Sequence, residues 1–142
     1  DESFGSFYRT LDGKEREALI EALQNHLRQR PEIVFAYIFG SFVSGMPFQD
    51  IDLALWIDER LTENSRDCAE ECADFLDAEF KQVFDIVIIN SAPSSFKASV
   101  FIEGRLLFSR DDDLLNGVIE SCSLDMLANE GLSRQSLVEI AQ

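Results

Sequence analysis

Three aspartates and a Gly-Ser pair stand at spacings that suit chemistry on phosphate groups. Gly40 and Ser41 follow an apolar run. Asp50 and Asp52 come soon afterwards, and Asp85 opens a second apolar segment. Carboxylate oxygens are the ligands that Mg²⁺ prefers, and a glycine turn lets backbone N–H groups approach a phosphate closely. We therefore interpret the three aspartates as catalytic and metal-binding residues, and the Gly-Ser pair as a nucleotide-binding turn.

The spacing of Asp50 and Asp52 predicts that their side chains share one face of a strand, because side chains alternate along an extended chain. Two carboxylates about 4 Å apart repel each other by about 4 kcal/mol at an effective dielectric constant near 20. A proton or a divalent cation between them relieves that repulsion. If Asp85 lies on a neighbouring strand it can join the pair, and one or two Mg²⁺ ions can then assist an in-line displacement at phosphorus.

An Asp-x-Asp sequence is a weak signal on its own, since aspartate at the start of a strand is often a cap or turn residue. A Gly-Ser pair is weak as well. The same letters recur at Gly5 and Ser6, where no strand precedes them and no Asp-x-Asp follows. The combination of turn, acid pair and third aspartate is what favours the metal site.

The segments that must position these residues alternate between helical and extended patterns. Apolar residues at helical spacing predict helices at 12–30, 63–80 and 93–101. Continuous apolar runs predict strands at 33–39, 51–57, 83–89 and 105–109. This alternation predicts a single α/β (α+β) domain with a mixed sheet of about four strands flanked by helices.

Two further helical patterns follow the last strand. One carries apolar residues from Leu115 to Met126, and Ser133 can begin another. We divide the chain into an N-terminal arm at 1–10, a main domain at 11–111 and C-terminal helices at 112–142 that pack on the same domain.

The composition is strongly acidic. The 142 residues include 27 acids and 12 bases, which give a net charge of −15. Such a surface repels the backbone of nucleic acids, so we expect no direct nucleic acid binding. It suits a basic partner, although solubility alone would also account for it.

The three cysteines and the hydropathy indicate in which cellular compartment the protein works. The odd count, with no secretion signal, favours a reducing cytoplasm, and no apolar run approaches the ~20 residues that span a membrane. Cys68 and Cys72 share a helix face. Because His26 is the only histidine, we favour core packing over metal binding for this pair.

At these residues the sequence resembles the polymerase-β-like nucleotidyltransferase superfamily, and within it the minimal nucleotidyltransferases. The resemblance rests on Gly40-Ser41, the Asp-Ile-Asp at 50–52 and Asp85, and it extends over about 11–111. It implies that the acid pair binds the metals, that Asp85 completes the site and draws the proton from the attacking hydroxyl, and that the Gly-Ser turn grips the nucleotide triphosphate.

The antitoxin branch of that family is encoded beside HEPN-domain ribonuclease toxins. Resemblance to this branch implies that ATP is the donor and that AMP is placed on a tyrosine of the toxin, which silences the ribonuclease. Two positions depart from the usual pattern. Ser44 stands where the family often has a basic residue, and Gln49 stands where it often has serine.

Two other functions stay open. The protein could be a non-catalytic antitoxin that neutralises its toxin by binding, an alternative that Ser44 motivates. It could instead be a small-molecule nucleotidyltransferase, such as one that modifies a cationic aminoglycoside. Those enzymes usually carry a further helical domain, for which the residues after Asp111 are a poor substitute.

Overall fold

The computed structural model describes residues 8–130. The elements that it contains are, in chain order, α1 (Gly13–Arg28), β1 (Ile33–Phe39), β2 (Asp50–Ile57), α2 (Ser65–Phe80), β3 (Val83–Ile88), α3 (Ser94–Glu103), β4 (Arg105–Ser109) and α4 (Asp112–Glu130). Every helix and strand predicted between 12 and 126 is present, with ends shifted by a few residues. Most of the predicted arm, at 1–7, and the helix predicted from Ser133 lie outside the described residues.

The four strands form one sheet in the order β3-β2-β1-β4. Strand β1 is antiparallel to β2 and to β4, whereas β2 and β3 are parallel. A parallel neighbour requires a crossover connection, and α2 supplies it. The predicted mixed sheet of four strands with flanking helices is therefore confirmed.

Local sequence signals determine where α1 and α2 begin. The Asp12 carboxylate accepts from the Glu15 N–H at 2.8 Å, and the Glu15 carboxylate accepts from the Asp12 N–H at 3.0 Å. This capping box satisfies two N–H groups that the first turn leaves unpaired. In α2 the Asn64 side chain accepts from the Asp67 N–H at 3.1 Å. Both caps act within a few residues, so the chain can form them before tertiary packing.

One face of the sheet packs against α1 and α2. From β2 it contributes alternate residues, all buried, which are Ile51, Leu53, Leu55 and Ile57. The helices contribute the predicted apolar stripes, in which the buried members are Ile20, Leu23, Leu27, Cys68, Cys72 and Leu76. Because Ile51 and Leu53 point into this core, their neighbours Asp50 and Asp52 point to the opposite face.

The opposite face packs against α3 and α4. Its aromatic centre is Phe35, which stacks on Trp56 with ring centroids 5.7 Å apart. Phe101 of α3 meets Tyr37 edge-on at 5.3 Å. The predicted apolar face of α4 is confirmed, since its buried residues in this core are Leu115, Ile119 and Cys122. Pro93 occupies the N-cap position of α3 without a side-chain hydrogen bond.

The cysteines are buried free thiols, as predicted. Cys68 donates from its Sγ to the Glu32 carboxylate at 2.9 Å. Burial, and then this hydrogen bond, raise the pKa of Cys68 to about 12. His26 packs against the Phe75 and Phe80 rings, as expected of a packing residue. Within residues 8–130, none of the helices combines the length and apolarity that crossing a bilayer demands.

Candidate active site

The three candidate acids meet through the register of β2 and β3. Asp52 lies directly opposite Asp85, and Asp50 lies opposite Val83 in the same parallel pair. All three aspartates project to the face that carries α3 and α4, at the ends where both strands begin. Asp50 and Asp52 are half-buried, and Asp85 is exposed. Asp85 therefore lies on the strand next to that of Asp50 and Asp52, which was the condition for it to join the pair.

The carboxyl groups repel one another in this arrangement. Burial raises the pKa of Asp52 to about 6, with further contributions from the charges of Asp85 and Asp50. Burial also raises the pKa of Asp50, as do the charge of Asp85 and a hydrogen bond between those two carboxyl groups. Burial and charge repulsion thus both favour the protonated, uncharged form of Asp50 and Asp52. A cation would remove that preference.

The acids form an open set of oxygen ligands rather than a closed cage. Within residues 8–130, no group of three or more His, Cys, Asp or Glu side chains is placed so that it could by itself hold a metal ion. Asp52 directs its Oδ2 towards Gly40. An open set of hard oxygens fits Mg²⁺, which keeps several waters and takes further ligands from substrate phosphates.

The Gly-Ser turn lies against the acids. Gly40 has a φ of +84°, a backbone conformation that residues with a Cβ atom rarely adopt. A Cβ on Gly40 would lie 2.2 Å from Asp52 Oδ2, so glycine is the residue that leaves room for the carboxylate. After it the chain coils, with the Val43 N–H donating to the Gly40 carbonyl at 3.1 Å. Ser41 is exposed at the start of this coil.

Ser44 occupies the position at which the resembled family often has a basic residue. Ser44 donates from its hydroxyl to the Ser41 carbonyl at 3.1 Å, which steadies the coil. A cation reaches the same loop from α1 instead. The Arg16 guanidinium lies 4.4 Å from the centre of the Phe42 ring and donates to the Val43 carbonyl at 3.4 Å. Sequence reasoning did not single out Arg16, which lies 24 residues before Gly40.

A buried carboxamide ties the loop to β3. Gln82 is 1% exposed and accepts from Arg9 Nη1 at 2.6 Å. Its Nε2 donates to the carbonyl of Gln49, the residue just before the first site aspartate. Arg9 also pairs through its backbone with Phe48. No local sequence pattern predicts this brace, because its members lie up to 73 positions apart.

An aromatic pair forms a wall beside the acids. Phe39 lies opposite Asp52 in the β1–β2 pair and meets Phe96 of α3 edge-on, with ring centroids 5.7 Å apart. Apolar neighbours such as these exclude water from one side of a carboxylate. That burial is the largest cause of the raised pKa of Asp52.

Comparison with known families identifies the domain. The sequence profile described as polymerase beta, nucleotidyltransferase matches residues 21–113, which is more than half of the chain. The chain belongs to this nucleotidyltransferase family. The matched range includes the Gly-Ser turn and all three acids, and the predicted superfamily is confirmed. Among curated proteins, none matches this nucleotidyltransferase significantly.

Solved structures of toxin–antitoxin pairs share the fold of this nucleotidyltransferase. The mutant toxin–antitoxin MntA-HpeT has 21% identity and a TM-score of 0.60, over 91% of this chain and 97% of that one. A tri-AMPylated Shewanella oneidensis HEPN toxin in complex with MNT antitoxin has 22% identity and a TM-score of 0.59, over 87% and 96%. A toxin–antitoxin with AMP-PNP has 21% identity and a TM-score of 0.59, over 90% and 97%. At such identities the likeness establishes the fold.

Proposed function

We propose that this nucleotidyltransferase is an antitoxin that transfers AMP from ATP to a tyrosine of a cognate HEPN-domain ribonuclease toxin. The observation that carries the proposal is the convergence of Asp50, Asp52 and Asp85 beside the Gly40 turn. Two neighbours of the same fold support the choice of substrates, one being a complex with an AMPylated HEPN toxin and the other a complex with AMP-PNP.

The turn and the acids have separate roles in this reaction. The backbone N–H groups at Gly40 and Ser41, together with the Ser41 hydroxyl, donate hydrogen bonds to the phosphates of ATP. Asp50, Asp52 and Asp85 would hold one or two Mg²⁺ ions, which neutralise the triphosphate and steady the attacking and leaving oxygens. Positioning and charge neutralisation supply most of the rate enhancement in such transfers.

The transfer exchanges one phosphorus–oxygen bond for another. The tyrosine hydroxyl oxygen bonds to the α-phosphorus of ATP, and the bond from that phosphorus to the pyrophosphate oxygen breaks. Pyrophosphate leaves with the bonding electrons. The phenolic proton passes to Asp85, the exposed member of the three acids, and from there to solvent. A base is useful because a free tyrosine has a pKa near 10.

The cytoplasm suits this reaction, since ATP is available there and buried thiols such as Cys68, Cys72 and Cys122 stay reduced. The test combines the purified protein with ATP, Mg²⁺ and the HEPN toxin encoded beside it. Intact-mass spectrometry should reveal one or more AMP groups on the toxin. An unmodified toxin after prolonged incubation would contradict the proposal.

A binding-only antitoxin is the second candidate, and Ser44 favours it. Without a basic residue at that position the loop carries less positive charge towards a triphosphate. The double variant Asp50→Asn/Asp52→Asn separates the two functions in cells that express the toxin. Loss of protection supports the enzyme, and full protection supports neutralisation by binding.

A further inference from the structure

A groove lies beside the catalytic acids at the open edge of the sheet. Strand β3 is the last in the strand order, so within residues 8–130 one of its edges has no neighbouring strand. The space between that edge and α2 has a volume of about 700 Å³. We call it the β3–α2 groove; the residues of its lining used below are Glu59, Arg66, Glu70, Asp85, Ile86 and Ile88.

The backbone of β3 directs hydrogen-bonding groups into this groove. Phe84 donates its N–H to the Asp77 carboxylate at 2.8 Å, on the side away from β2. Ile89 donates its N–H to the Leu55 carbonyl at 3.0 Å, on the side towards β2. Along a strand in a parallel pair, the N–H and C=O groups of successive residues point alternately towards β2 and away from it.

It follows that Ile86 and Ile88 present their N–H and C=O groups on the same side as Phe84. That side is the groove, which both residues line. An edge with unpaired backbone groups is a template for another strand. Recognition by strand addition uses such an edge, with backbone hydrogen bonds for affinity and side-chain contacts for specificity.

The groove is continuous with the catalytic site and is mainly acidic. Asp85 lines the groove and belongs to the site, so a segment bound along β3 passes the proposed base. Glu59 and Glu70 are exposed in the lining, where Arg66 is the cation. A chain with net charge −15 attracts a basic ligand at such a place and repels a second copy of itself.

We propose that the β3–α2 groove binds the acceptor segment of the toxin as an extended strand paired with β3. Side chains alternate along that strand. The tyrosine points to the face that carries Asp85, and the residues on either side of it point to α2, where basic side chains meet Glu70. This inference rests on the proposed function and specifies its acceptor, an extended segment with a tyrosine flanked by lysine or arginine.

A matched pair of charge reversals tests the groove. Glu70→Arg changes its lining, whereas Glu71→Arg makes the same change on the next residue of α2, which lines a different pocket with Glu32 and Asn64. Both residues are exposed, so both variants should fold. We expect Glu70→Arg to raise the KM for the toxin about tenfold and to leave AMP-PNP affinity unchanged. Glu71→Arg should behave as the wild type.

Amide hydrogen exchange tests the backbone pairing directly. The probes are two synthetic peptides, Thr-Lys-Tyr-Lys-Thr and Thr-Glu-Tyr-Glu-Thr, added to the 15N-labelled protein. The lysine peptide should slow exchange at Ile86 and Ile88, and the glutamate peptide should not. The Ile86 and Ile88 amides could instead be protected in the protein without peptide and lose this protection when the protein is diluted. That result would mean that a second copy of the protein occupies the groove, and it would overturn the proposal.

The outcomes separate this inference from the proposed function. A wild-type protein that adds no AMP to its toxin would overturn the proposed function. A wild-type protein that adds AMP, together with a Glu70→Arg variant of unchanged KM, would overturn the groove alone. A lysine peptide that leaves the Ile86 and Ile88 amides unprotected while the toxin is modified would have the same meaning.

Discussion

Gly40 lies in direct contact with Asp52. A Cβ at Gly40 would approach Asp52 Oδ2 to 2.2 Å, and the φ of +84° is itself unfavourable for any other residue. The turn and the acid pair are therefore one unit. A side chain added at Gly40 must therefore displace the Asp52 carboxylate.

Gly40→Ala should lower kcat for AMP transfer about 100-fold, because a displacement of about 1 Å in a reacting group costs that much. Gly45→Ala is the matched control. Gly45 has a φ of +81° in the same loop, but a Cβ there would meet nothing within 4 Å. Both variants should lose about 1–2 kcal/mol of unfolding free energy from the left-handed backbone. Equal activities in the two variants would contradict the contact as a requirement for catalysis.

Asp52→Asn should stabilise the protein when no divalent cation is present. The pKa of Asp52 is about 6 in the folded state against an ordinary 3.8, so the folded state holds this proton more tightly. The associated stability is fully present below pH 3.8 and is lost as pH rises through 6. Asparagine does not suffer that loss. We expect a gain of about 1–2 kcal/mol at pH 8, after allowance for solvent screening, and none near pH 3.5.

Chemical unfolding in EDTA at the two pH values measures this difference. Asp58→Asn provides a control of opposite sign, since hydrogen bonds from Arg60 lower the pKa of Asp58 to about 2. The stability linked to Asp58 is present above pH 3.8 and is lost as pH falls through 2. If Asp52→Asn and the wild type had parallel pH profiles, the raised pKa of Asp52 would be wrong.

Mg²⁺ should raise the melting temperature of the wild type at pH 8, because a cation between the three carboxylates removes their repulsion. The double variant Asp50→Asn/Asp52→Asn should respond little and should lose AMP transfer by about 10³-fold or more. Ca²⁺ is a useful second ion, since it is larger and accepts different ligand geometry. A Mg²⁺ response in the double variant as large as in the wild type would remove these acids from the metal site.

Gln82→Leu should lower kcat more than its effect on folding explains. The variant leaves the Gln49 carbonyl and the Arg9 guanidinium without this partner, at a cost of about 1–3 kcal/mol. It also removes a hydrogen bond from the residue before Asp50, so we class Gln82 as a positioning residue.

Gln24→Leu is the control for Gln82→Leu. Gln24 donates to the Leu107 carbonyl at 2.9 Å, on β4 at the far edge of the sheet from β3. Urea unfolding should reveal stability losses of similar order in both variants. AMP transfer at a temperature where both are folded should fall in Gln82→Leu alone. A fall of the same size in Gln24→Leu would assign the effect to stability.

Much of the fold could be predicted because its signals are local. The alternation of Ile51 and Leu53 with Asp50 and Asp52 determined that the two acids share a face. The Asp12 and Glu15 capping box determined where α1 begins. Interactions of this kind join residues one to four positions apart, and each side chain carries its own preference for burial or exposure.

The tertiary structure decided what lies between distant segments. The register that sets Asp52 against Asp85, the contact of Asp52 with Gly40 and the Gln82 brace depend on how strands and loops pack. The sequence by itself determined which residues carry groups suited to a phosphate or a cation and on which face two of the acids lie. Only the packing decided their distances and raised the pKa of Asp52, because burial and charge repulsion act through space rather than along the chain.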